Sequence, residues 1–307
     1  MGSLLVLGGR SCFSSAVLRA FHHRDFSDIP ALTEHKRKAG LTASLCIPTL
    51  NEEGTIARVV DTLRSALIDA HPLLDELVVI DSGSTDRTCQ LAADAGATVI
   101  PAADILPHLP PLMGKGENLW KAVFQCTGDL IAFVDGDIAN IHPRFVTGTL
   151  GPLIHHPEIG YVKGFYERPL LAREGVDPRG GGRVTEILVR PLLDRFCPEL
   201  ASLHQPLAGE YAARRRLLET LPFPTGYGVE TAHLIDVWRS HGMAAIAQTD
   251  LDERFHRNRS LADLGRMSDQ ILDAFLPRFL GQPAHLPERP AMITLPEYQQ
   301  RHARRES

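Results

Sequence analysis

Short apolar runs alternate with amphipathic stretches over the first 140 residues. Ser44-Leu45-Cys46-Ile47 follows a polar, basic stretch and ends at Pro48, which predicts a buried strand. Ile56, Val59, Val60 and Leu63 then recur at three- and four-residue spacing, with the acidic Glu52 and Glu53 close to the first turn of the helix they predict. Leu77–Ile80 reads as a second buried strand, and the helix after it stops at Gly96. Ala97–Ile100 gives a third strand, Leu119–Gln125 a helix, and Leu130–Val134 a fourth strand. Strands and helices alternating at these distances predict an α/β protein built on an open parallel sheet. A Rossmann-like, nucleotide-binding unit is the expectation for residues 41 to about 140.

Beyond Phe145 the pattern blurs. Gly160–Phe165 predicts a strand, and the charged, glycine-rich stretch Arg173–Gly182 a loop. Val184–Leu193 predicts a helix broken at Pro191. Val229–Arg239 and Leu261–Phe279 carry helical spacing, with a late strand over Ala244–Asp250 between them. The Pro-rich tail from Gly281 reads as irregular.

Composition narrows the class. Thirty-two Lys and Arg against 37 Asp and Glu leave a net charge of −5, which argues against a nucleic-acid binder. The five cysteines, Cys12, Cys46, Cys89, Cys126 and Cys197, form no CxxC pair, so neither a disulfide scaffold nor a sulfur-ligated zinc site is expected. A reducing cytoplasm is the expected compartment. No apolar run reaches the roughly 18 residues of a spanning helix, and Gly8, Gly9 and Arg10 interrupt the one near the start, so neither membrane nor secretion is expected.

Candidate chemistry gathers after the predicted strands, where open sheets bind ligands. Asp135-Gly136-Asp137 leaves the fourth strand directly; as a bare string it reads as a solvated turn, but at a strand end it suits a hard divalent cation with a diphosphate. Asp81–Asp86 leaves the second strand, where Asp81 either meets a nucleoside or closes a side-chain turn. Pro48–Glu52 leaves the first. Lys115, between Gly114 and Gly116, is placed to meet phosphates as a point charge. Neither GxxxxGK[ST] nor a GxGxxG after the first strand is present. Gly180–Thr185 offers exposed backbone amides, a helix start and the donors of Arg183 and Thr185, an anion site unless it is only a linker. His256 is a candidate metal ligand and Asn258 a neutral donor. Glu210 and Glu230 are carboxylates beside glycine-rich turns that would cap a helix or pair with an arginine.

Taken in order, Pro48-Thr49-Leu50-Asn51-Glu52-Glu53, Asp81–Asp86 and Asp135-Gly136-Asp137 resemble the family 2-like GT-A glycosyltransferases. The chain is more narrowly similar to the retaining GT-A glycosyltransferases of family 81, through Gly114–Glu117 with Leu119-Trp120, Lys163 with Phe165–Leu170, Gly180–Glu186, Gln205–Tyr211, Gly226–Glu230 and His256–Arg259. The family commonly has Ser where this chain has Gly136, a change that leaves both carboxylates in place.

The resemblance implies a GT-A fold with a smaller helical acceptor-binding region. On that basis residues 1–40 form an N-terminal extension and helical arm, 41–160 the nucleotide-sugar core, 161–280 the acceptor-binding and dimerisation region, and 281–307 a tail. It implies transfer of glucose from UDP-glucose to the 2-hydroxyl of 3-phosphoglycerate, with Mg²⁺ (Mn²⁺ or Co²⁺ substituting), in a homodimer. The donor would be held by Pro48, Leu50, Glu52, Asp81, Lys115, Asp135, Gly136 and Tyr227. The acceptor would be held by Gly182, Arg183, Val184, Thr185 and Asn258, and the metal by Asp137 and His256. Asp137, Lys115, Glu230 and the backbone at Leu207 would lie at the reacting centre. Front-face return without a covalent sugar–enzyme bond is implied, with double displacement through Glu230 left open. GDP-glucose or GDP-mannose as donor, the latter giving the mannosyl product, and a non-catalytic sugar-nucleotide-binding protein are the alternatives.

Overall fold

A computed structural model describes residues 17–168, 170–172, 175–177, 182–255 and 260–306. The chain opens with β1 (Arg19–His22) and α1 (Ile29–Lys38), then β2 (Ala43–Thr49), α2 (Ile56–Arg64), β3 (Glu76–Asp81), α3 (Thr88–Asp94) and β4 (Thr98–Pro101). Next come α4 (Lys115–Gln125), β5 (Leu130–Phe133), α5 (Arg144–His155) and β6 (Tyr161–Glu167). A small hairpin, β7 (Leu170–Ala172) with β8 (Gly175–Asp177), precedes α6 (Arg190–Phe196), β9 (Tyr211–Arg214), α7 (Arg215–Leu218) and β10 (Phe223–Pro224). The last elements are α8 (Val229–His241), β11 (Ile246–Glu253), α9 (Leu261–Leu280), β12 (Glu288–Arg289) and α10 (Pro296–Glu306).

One eight-stranded sheet in the order β1-β11-β6-β9-β5-β2-β3-β4 carries the fold. Strands β2 to β5 pair in parallel as the apolar runs predict. Strand β9, which the sequence pattern did not reveal, inserts antiparallel between β5 and β6. The sheet therefore runs without interruption across the expected boundary at residue 160. Successive strand residues face opposite sides: Cys46, Val78, Ile80, Ile131 and Phe133 join one core, and Leu45, Ile47, Leu77, Val79 and Leu130 the other.

Three expectations change. The N-terminal arm holds α1 but also an edge strand, β1, paired in parallel with β11; residues 1–16 lie outside the described ones. Pro191 does not break its helix, because it falls where the wide turn at Thr185–Val189 runs into α6 and the regular i−4 ladder is already interrupted. A helical segment begins at Arg183 and passes through a wide π-type turn at Thr185–Val189 into α6. The tail from 281 is not irregular throughout. β12 pairs with β10, the Trp120 indole donates to Pro290 O at 2.9 Å, and Arg289 donates to the buried Glu117 at 2.7 and 2.9 Å.

Candidate active site

The loops after β2 and β3 are stitched together by side chains. Asn51 adopts a positive φ of 57° and its Oδ1 accepts from Thr85 N at 2.9 Å, while its own N–H donates to Ser84 Oγ at 2.8 Å. Glu52 N donates to Thr88 Oγ1 at 2.7 Å. The Asp81 carboxylate accepts from Gly83 N, Ser84 N and the Ser84 hydroxyl. Burial opposes its charge, but these Ser84 and Gly83 bonds hold it below the usual carboxylate range. Asp81 thus closes the turn, as the simpler reading of its motif has it, and among the described residues it does not line the cleft; its neighbour Ser82 does.

A cleft of about 380 Å³ opens beyond the ends of β2 and β5. It is lined by Pro48, Leu50, Glu52 and Gly136 on one side and by Lys115, Asp135, Asp137 and Tyr227 on the other. Asn118 joins them, donating to Ile80 O at 3.2 Å and Ser82 Oγ at 2.6 Å. Lys115 is not in a loop but is the first residue of α4. Gly116 brings that helix start in: a Cβ there would lie 1.7 Å from Pro224 O.

Lys115 Nζ reaches Asp135 and Glu230, each at 2.9 Å. Burial disfavours its ammonium, but the two carboxylates outweigh that and hold it well above the ordinary lysine range. Sequence reasoning missed Arg254, which follows β11. Its Nη2 lies 2.7 Å from Asp137 Oδ1 and 3.0 Å from Asp135 Oδ2, and its Nε lies 3.4 Å from Glu210. Tyr166 Oη donates to Glu210 and accepts from Arg168 at 2.8 Å. Asp135, opposed by burial but flanked by Lys115 and Arg254, is held far below the usual carboxylate range.

Leu207 and Glu230 are buried behind the cleft wall. Val184 and Thr185 are buried in the opening turn of their helical segment, with Gly182 and Arg183 before them, and none of the four is among the cleft-lining residues. His256 and Asn258 lie outside the described residues. A different group, His22, His23 and Asp252, has ligand atoms within 4.8 Å of one another at the edge of the sheet. His22 Nδ1 accepts the Arg24 N–H there, so in the neutral ring Nε2 carries the proton and is no ligand.

A nucleotide-sized cleft at strand ends, with an acid–x–acid turn after the fourth parallel strand and a lysine facing it, defines a GT-A glycosyltransferase. Residues 44–174 match the family described as Glycosyl transferase family 2. The glucosyl-3-phosphoglycerate synthase of Petrotoga mobilis is 44% identical over 94% of this chain and 97% of its own length. That of Mycobacterium tuberculosis is 49% identical over 78% of this chain and 74% of its own length. The solved M. tuberculosis synthase in complex with Mn²⁺, UDP-glucose and phosphoglyceric acid superposes with a TM-score of 0.81, 43% identity and coverage of 91% of this chain and 99% of that one. The same synthase has been solved with Mg²⁺ and UDP. This chain belongs to the glucosyl-3-phosphoglycerate synthase family and is a retaining glycosyltransferase. No described helix is long and apolar enough to cross a membrane.

Proposed function

We propose that the chain transfers glucose with retention from UDP-glucose to the 2-hydroxyl of 3-phosphoglycerate, with Mg²⁺ as its metal and Mn²⁺ or Co²⁺ able to replace it. The observation that carries this reading is the charged floor of the cleft, where Asp135 and Asp137 stand beside Lys115 and Arg254. The donor set fits a hard divalent ion. Asp137 side-chain exposure is 25%, and its second carboxylate oxygen has no partner among the described residues. Asp137 would hold the ion, with His256 as the second protein ligand. When bound, such a cation supplies positive charge to the leaving diphosphate.

The chain's own residues supply the rest. Pro48, Leu50, Glu52 and Gly136 form the wall against which the nucleoside would pack. Lys115 would meet the diphosphate while Asp135 and Glu230 keep it charged. Gly182–Thr185 and Asn258 would hold the acceptor, because the N-terminal end of a helix suits a phosphate or carboxylate. Glu230 is 3% exposed and engaged by Lys115, which suits a counter-charge better than a nucleophile. Front-face departure and attack, with the glycerate hydroxyl proton passing to the leaving phosphate, therefore fits better than double displacement.

The same reading includes a homodimer. Light scattering on the purified protein tests the dimer. The activity is tested by incubating the protein with Mg²⁺, 3-phosphoglycerate and UDP-glucose, GDP-glucose or GDP-mannose in turn, then identifying the released nucleotide and the sugar phosphate. Glucosyl-3-phosphoglycerate and UDP are the expected products; nucleotide release indifferent to the acceptor overturns the reading.

A further inference from the structure

Beneath the cleft lies one buried cation that the reaction described above leaves unused. Lys163, on β6, is 1% exposed. Its register partner on β9 is Tyr211, and Nζ stands 4.9 Å from the centroid of that ring. The ammonium donates to Ala208 O at 2.5 Å. Ala208 belongs to the strap that enters β9. Gln205 anchors the strap at one end through Tyr166 O, and Glu210 anchors it at the other by accepting the Gly164 N–H at 2.8 Å. The strap also presses on the charged floor: a Cβ at Gly209 would lie 2.3 Å from Asp135 Oδ2. Lys163 and Asp135 thus both bear on the strap at neighbouring residues, Lys163 at Ala208 and Asp135 at Gly209.

We propose that Lys163 is a positioning residue for the transfer reaction, its ammonium fixing the Ala208 carbonyl so that the Leu207–Gly209 backbone stands at the height the reacting sugar carbon requires. The inference rests on the proposed function for the identity of that carbon. The grip itself is read from the geometry alone.

Chemistry favours this role over a merely structural one. A buried ammonium is expensive, and an apolar side chain of similar length packs in the same space without that cost. Among the described residues the Lys163 ammonium makes one hydrogen bond, and that bond is to the strap. Burial, with the Lys115 charge added, pulls it down to about 8, against the opposing pull of Glu230, Glu210 and Asp135. Those groups reach it from α4, α8, the turn after β5 and the residue before β9. Tyr161 and Tyr211 also lie in this buried region and stay neutral because burial pushes both phenols well up, while His233 of α8 is held neutral by its own burial. Loss of the Lys163 proton weakens a charge-assisted bond to a neutral one, about half as strong.

The test compares wild type with Lys163→Met. The variant is expected to lose about tenfold or more in kcat while both KM values stay within about threefold. Its unfolding midpoint should hold or rise, because the desolvated charge is gone. Amides 207–210 should exchange faster in the variant. Wild-type kcat should decline above about pH 8, a limb absent from the variant. A kcat within about twofold of wild type, or unchanged exchange at 207–210, overturns the proposal. Should the variant fail to fold, a wild-type kcat that stays level to about pH 9.5 overturns it equally. Hydrogen exchange needs no substrate, so failure of the grip is distinguishable from failure of the assigned reaction.

Discussion

Arg254 Nη2 lies 2.7 Å from Asp137 Oδ1, so a guanidinium already touches the carboxylate proposed to hold the metal. The same nitrogen reaches Asp135 at 3.0 Å. Burial disfavours the Arg254 charge, but Glu210, Tyr166 and the two aspartates outweigh it and hold the group firmly protonated. The cleft thus carries a fixed positive charge, and Asp137 serves two cationic partners.

Asp137→Ala should abolish metal-dependent UDP binding while the fold persists, because the residue sits at a strand end with part of its carboxylate in solvent. Titration calorimetry with Mn²⁺ and UDP measures the loss, and far-UV dichroism checks the fold. Binding equal to wild type removes Asp137 from the metal site.

Arg254→Met should destabilise by about 3–5 kcal/mol, since Asp135, Asp137 and the fully buried Glu210 lose their shared partner. Urea unfolding measures it. Added Mg²⁺ should recover more stability in the variant than in wild type, because a second cation then relieves the carboxylates. A loss below about 1 kcal/mol would show that Lys115 alone balances the cluster.

Arg183→Lys keeps the charge at the helix start but removes the planar fork. The KM for 3-phosphoglycerate should rise about 10- to 150-fold, corresponding to one charge-assisted bond of roughly 1.5–3 kcal/mol. The KM for UDP-glucose should stay near wild type. Equal changes in both constants would place Arg183 outside the acceptor site.

His233 should make the fold acid-sensitive. It is fully buried between the rings of Phe223 and Tyr161, and burial, then the Arg278 and Lys163 charges, lowers it from 6.5 to about 3. Below pH 6.5 the unfolded chain binds a proton that the fold refuses, so stability falls as pH falls from 6.5 toward 3, by roughly 4–5 kcal/mol at most. Denaturant unfolding at several pH values should show a shallower slope in His233→Phe than in wild type. Identical slopes would mean that the buried ring takes up its proton without penalty.

Legibility in the sequence followed the range of the forces involved. Strands β2, β3 and β5 were readable because each apolar run is local, and Asp135 and Asp137 because they leave such a run directly. An arginine partner was the expectation for Glu210 and Glu230; Glu210 has Arg254, but Glu230 takes Lys115, and both partners come from distant parts of the chain. Arg254 itself gave no signal: it stands in polar sequence at a strand end, and its carboxylates come from two other segments, the turn after β5 and the entry to β9. Strand β9 is four residues long, too short for a period to show. The ordered tail was unreadable for a similar reason. Glu117, 1% exposed in the first turn of α4, takes its counter-charge from Arg289 near the far end of the chain.

Strand β1 has one neighbour in the sheet, β11, and their register joins Arg19 to Ala247. A nascent chain leaving the ribosome therefore carries β1 without a partner until residue 246 and those after it have emerged. The remaining parallel strands, β2 to β5, can associate long before that, so the first strand made is among the last to dock. It settles beside β11, whose end delivers Arg254 to the two aspartates, so two segments far apart in sequence meet one step from the charged cluster of the cleft.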